Sequence, residues 1–111
     1  MDKEALIEKV RGILSSRSNI VEESRFGGTM FKFNGNMIAQ VTSKATLVLK
    51  LQDKTEEALS MPNMEPHKLG ANVIKTMAHH TNPGAASDED LANLVNMAAD
   101  AVEKLPPKVK K

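Results

Sequence analysis

The chain has no cysteine, no tryptophan and no tyrosine, and three phenylalanines are its whole aromatic content. Without cysteine there is no disulfide scaffold and no thiolate chemistry. No apolar run approaches the roughly 18 residues of a membrane-spanning helix. The opening MDKEALIEKV carries acids where a secretory leader would carry an apolar core. A cytoplasmic protein with no membrane association is expected. Charge of one sign is lacking too, since 15 basic residues meet 14 acidic ones. Lys108, Lys110 and Lys111 sit in the acid-free end PPKVKK, so the rest of the chain is mildly acidic. A domain that neutralises several phosphates shows a basic face. None is legible, and specific DNA binding by the isolated chain is not expected.

What is present fits one domain of 111 residues, long enough to bury a core without staples. Leu6, Ile7, Val10, Ile13 and Leu14 recur at the spacing of one helical stripe and predict a helix over Asp2 to Leu14. The period then changes to two. Thr29, Phe31 and Phe33 alternate with Met30 and Lys32, Asn34-Gly35 is the strongest short hairpin signal, and Asn36 to Val41 returns. Leu47, Leu49 and Leu51 alternate with Thr46, Val48 and Lys50, and Ile20 to Arg25 precedes them all as a first strand. Asp53 and Glu56 suit the start of a short helix. MPNMEP reads as a loop bounded by Pro62 and Pro66, and Asn72 to Ala78 as a further strand. Ser87 caps a closing helix whose stripe runs through Leu91, Leu94, Val95, Ala98, Val102 and Leu105. The expected fold is α+β in two layers: an antiparallel sheet of about five strands with N-terminal, middle and C-terminal helices.

Gly27-Gly28 interrupts the strand pattern. A phosphate-cradling loop needs glycines that open onto a helix N-terminus, and TMFKFNG reads as strand instead. A tight turn or a close backbone approach is the better reading. The run Phe26, Gly27, Gly28, Phe31, Phe33, Asn34 and Gly35, followed by Met37-Ile38-Ala39 and Val41, resembles the signature of the TfoX N-terminal domain family. ATLVLKL, the short acidic helix, MPNMEPHKLG, VIKTMAH and the closing helix follow in that family's order, over roughly residues 1–105. The resemblance implies a secretion-chaperone-like architecture in which those seven residues are structural. It also implies a regulatory role, linked in bacteria to natural competence, exerted with other regulators and without known catalysis. The expectation is a stand-alone domain over 1–105, lacking the helical C-terminal domain of the full-length regulators. Residues 106–111 are expected to form a basic, disordered tail.

No residue constellation points to catalysis, and no cofactor or metal is expected. His79 and His80, adjacent in a strand, would point to opposite faces, and His67 adds no recognised ligand spacing. Glu22-Glu23 and Glu56-Glu57 lack any sign of a shared cleft. Methionine is the notable excess, with seven in the chain. Flexible thioethers suit contact surfaces, and Met61 and Met64 in the proline-bounded loop are candidates for one. If Phe31, Phe33, Leu47, Leu49 and Leu51 face the helices, the other sheet face carries Met30, Lys32, Ile38, Thr46, Val48 and Lys50. Met30, Ile38 and Val48 then join the candidate interaction residues. The function expected is a non-enzymatic module that binds a protein partner, with self-association left open. The alternative is a small-molecule-binding domain or enzyme using a groove between sheet and helices.

Overall fold

The computed structural model describes residues 2–25 and 27–106, apart from the side chains of Arg25 and Leu69. Asp2 stands outside the first helix as its N-cap, accepting the Ala5 amide at 2.8 Å, and α1 runs Lys3–Leu14. Its stripe of Leu6, Ile7, Val10 and Leu14 is buried. A meander follows: β1 Ile20–Arg25, β2 Gly28–Phe33, β3 Asn36–Val41 and β4 Leu47–Lys50. Between β2 and β3, Asn34 and Gly35 have φ of 51° and 84°, the paired positive values that a two-residue type I′ turn demands.

Gly28 answers the question its neighbourhood raised. A Cβ there would fall on the Val41 carbonyl oxygen, with the carbonyl carbons of Val41 and Thr42 at 3.0 and 3.1 Å. The glycine is demanded by the close approach of a neighbouring backbone. Phe26, from the same run, and residues 107–111 of the expected tail lie outside the described residues.

A 3-10 turn at Gln52–Lys54 leads into α2, Thr55–Leu59. The expected Asp53 cap is not formed; Thr55 Oγ1 instead donates to the Gln52 carbonyl at 2.7 Å. The larger correction concerns MPNMEP. Met64–Leu69 is a strand, β5, paired with β6 at Asn72–His80, so the sheet has six strands in the order β1-β2-β3-β4-β6-β5. Pro66 is tolerated because β5 is an edge, where one side of the strand needs no N–H donor. The last helix, α3, spans Asp88–Glu103, and Ser87 Oγ accepts the Asp90 amide at 3.0 Å.

The helices line one face of the sheet. Leu91, Leu94, Val95, Ala98 and Val102 of α3 and the α1 stripe close over Phe31, Ala39, Val41, Leu47 and Leu49. Burying each large aliphatic side chain this way stabilises the fold by about 1.5–3 kcal/mol before entropy is counted. Phe33 packs against the rim of this core, and Leu51 lies within it. Ile38 does not alternate outward as expected. The register passes from Phe31↔Ala39 to Lys32↔Met37, leaving Ile38 as an extra residue in β3. That bulge turns Ile38 into the core beside Ala39, where it is 0% exposed.

The link between α1 and β1 is fastened from the far end of the chain. Arg17 donates to Glu103 at 2.7 Å, Asn96 at 2.9 Å and Asp100 at 3.0 Å. These acceptors are spaced along one side of α3.

Candidate interaction surface

The pairings align one row of side chains across the whole sheet on the face opposite the helices. Glu23, Met30, Gln40, Val48, His79 and Glu65 are successive neighbours in register. Val48 is 3% exposed yet stands outside the helix-side core cluster. Gln40 and His79 flank it in register on the neighbouring strands. Met30 and Met37 are half-buried there.

The polar members of the face are tied to one another. Lys32 Nζ donates to Glu23 at 3.0 Å. His79 Nε2 and Thr46 Oγ1 lie 2.8 Å apart, and Thr46 Oγ1 is 2.6 Å from Thr42 Oγ1. The His67 and His79 rings meet edge to face with centroids 6.3 Å apart. Burial pushes the pKa of both imidazoles down, helped at His67 by the charge of His79 and opposed at His79 by Glu65. Both rings are therefore neutral at pH 7. Among the described residues no three groups of metal-ligand type converge. His80, one residue on, faces the core between its strand neighbours Leu47 and Met64 and is 2% exposed.

The candidate residues thus divide. Met30 and Val48 belong to the outer face. Met64 does not: it is 9% exposed and joins the core, because the segment read as a loop is a strand whose Met64 side points at the helices. Met61 is partly buried against the same core. Glu22 and Glu23 form no acid–base dyad, since strand alternation sends them to opposite faces. Glu22 accepts from Arg11 at 2.7 and 2.9 Å, and those bonds hold its pKa below the usual carboxylate range. Gln40 and Met37 are among the outer-face residues that the sequence reading left out. Their signal was the row opposite Met30 and Lys32, unreadable until the β3 bulge fixed the register.

Grooves open at the margins of the fold, two of them beside the sheet hairpins. A polar cleft of about 440 Å3 lies between α1 and the β1–β2 turn, where Lys3 Nζ donates to the Gly27 carbonyl at 2.8 Å. A more apolar one of about 310 Å3 lies between α2 and the β5–β6 hairpin, bounded by Leu59, Pro66, Val73 and Met77. Comparison with protein-family models, with curated proteins and with solved structures finds no match.

Proposed function

We propose that this chain is a non-enzymatic protein-interaction module of the TfoX N-terminal type, regulatory through a protein partner. The observation that carries the reading is the outer sheet face. Six strands are covered by helices on one side, and the other side sets Met30, Met37 and Val48 among tied-down polar groups. Mixed apolar and polar patches of that kind suit protein contacts of moderate strength. The element order and the structural roles of Gly28, Phe31, Asn34 and Gly35 are consistent with the family resemblance. The test is a photo-crosslinking residue placed at Gln40 on the outer face or at Asn93 on the exposed side of α3. Adducts from position 40 that vanish with Val48→Glu are expected. Equal adducts from both positions, or adducts indifferent to Val48→Glu, would overturn the reading.

The second reading, a small-molecule-binding domain, draws on the groove beside α2, whose volume is at the lower end of ligand sites. A metabolite at about 100 times its dissociation constant would add roughly 2.7 kcal/mol to stability. A thermal-shift screen in which Val73→Glu removes the shift separates this reading from the first.

A further inference from the structure

The sheet has two edges, and they are built differently. On β5 the edge carries Pro66, which offers no N–H, and its pairing is broken by a register shift between Pro66 and His67. Both features discourage the approach of another strand. On β1 neither is present. Its residues Ile20–Arg25 contain no proline and pair with β2 in unbroken register. Among the described residues no strand pairs with its other side. Charged side chains commonly guard such an edge, and of the three on β1, Glu22, Glu23 and Arg25, the two acids are drawn onto the domain itself. Glu22 is held by Arg11 of α1 and Glu23 by Lys32 of β2. Val21 is left 53% exposed, ahead of Val73 at 48%.

We propose that β1 is a strand-addition site for an extended segment of a partner protein. That segment carries an apolar residue opposite Val21 and a basic or hydroxyl residue opposite Glu22 and Glu23. Main-chain hydrogen bonds supply the affinity in this mode, and alternate side chains supply the selectivity. Val21 and Glu23 share the outer face, so the added strand extends the proposed interaction surface by one row. The proposal rests on the interaction-module reading and narrows it to an edge and a partner chemistry. A second copy of the chain is a poor occupant. Full antiparallel overlap of two β1 strands sets Glu22 opposite Glu23 of the second copy, and a slip of one residue sets Glu22 or Glu23 opposite itself. Like charges directly opposite destabilise a strand pair.

The probe is the capped hexapeptide Thr-Thr-Lys-Thr-Val-Val, which in antiparallel register places its lysine opposite Glu23 and its first valine opposite Val21. Titration into the isotope-labelled protein is expected to shift β1 amide signals saturably, with Kd below about 1 mM. Hydrogen exchange of alternate β1 amides should slow. Val21→Lys, which leaves the strand and its pairing with β2 intact, should weaken binding at least about tenfold, a loss of about 1.4 kcal/mol. A peptide N-methylated on its pairing side should not bind. Absence of saturation, equal binding of the N-methylated peptide, or protection appearing away from β1 would overturn the proposal. So would a concentration-dependent dimer abolished by Val21→Lys, which would put a second copy on the edge. A silent edge with outer-face cross-links that still depend on Val48 sinks this proposal alone. An edge that binds while those cross-links prove indifferent sinks the outer-face reading.

Discussion

Leu47, His80 and Met64 form one row across three strands; Val48, His79 and Glu65 form the next, a single residue along each. The two rows share backbone, hairpin and neighbours in sequence. In the first, Leu47 is 0% exposed and His80 2%, on the face where α3 packs against β4. In the second, Val48 is shielded, His79 is half-buried and Glu65 is exposed. What separates the rows is cover. Strand alternation assigns each residue a face, and the helices decide what that face can tolerate.

Truncation tests this most strongly. Leu49→Ala on the helix side should cost about 2–5 kcal/mol, since it leaves a cavity that packed helices cannot fill. Val48→Ala should cost about 1 kcal/mol, because it removes two methyl groups from a side with freedom to relax. Urea denaturation of both variants measures the difference. Equal losses would mean that the outer face is packed as tightly as the core, and the contrast would collapse. Next in size is Gly28→Ala. Its Cβ would meet the Val41 carbonyl, a backbone group that cannot step aside cheaply, so a loss of about 1–3 kcal/mol is expected. An unchanged midpoint would show that the strand ends near Val41 are free to spread.

Much of this arrangement was legible in the residues. Period-two alternation placed Phe31, Leu47, Leu49 and Leu51 toward the helices, and Asn34-Gly35 gave the hairpin. Both signals are local, so a single sequence carries them. Ile38 and Met64 were misplaced for reasons that are not local. A bulge has no reliable residue signature, and it moved Ile38 from one face to the other. Met64 sits in a segment whose two prolines argue for a loop, and only the edge position of β5 makes Pro66 compatible with a strand. The outer face was named in part, through Met30 and Val48. Gln40 and His79 entered its central row only once the cross-strand register was known.

The histidines sharpen the comparison through pH. Burial lowers the pKa of His80 most directly, with His79 adding to the effect and Asp90 of α3 opposing it. The Asn82 amide donates to His80 Nδ1 at 3.2 Å, so that nitrogen must stay unprotonated for the bond to survive. The folded state therefore binds fewer protons than the unfolded chain, whose imidazoles titrate near 6.5. The stabilisation from neutral His80 is complete above that value. It is lost as pH falls below it, by at most about 1.4 kcal/mol per pH unit for one proton. His67 and His79 shift in the same direction, and both are more open to water than His80. Melting temperatures at pH 7.5 and 5.5 should fall with acid in the parent and fall less in His80→Asn than in His79→Asn. The reverse order would mean that the outer row, not the inner one, holds the buried imidazole.

The smallest effect is expected where the outer row meets the edge strand. Lys32 and Glu23 pair at 3.0 Å with side chains 18% and 34% exposed, on the face opposite the helix-side core. A pair so placed keeps part of its hydration, and its attraction is screened by salt. Lys32→Gln keeps most of the aliphatic stem over the sheet and removes the charge. It should cost less than about 1 kcal/mol at low salt, and the gap to the parent should close as ionic strength rises. A loss above about 2 kcal/mol that ignores salt would mark a desolvated pair. The outer face would then be closed in solution, as it would be if a second copy of the chain lay against it. Sedimentation of the parent and of Val48→Glu under the same salt conditions separates those cases. A monomer in both, with the small salt-sensitive loss, leaves the outer row open to a partner.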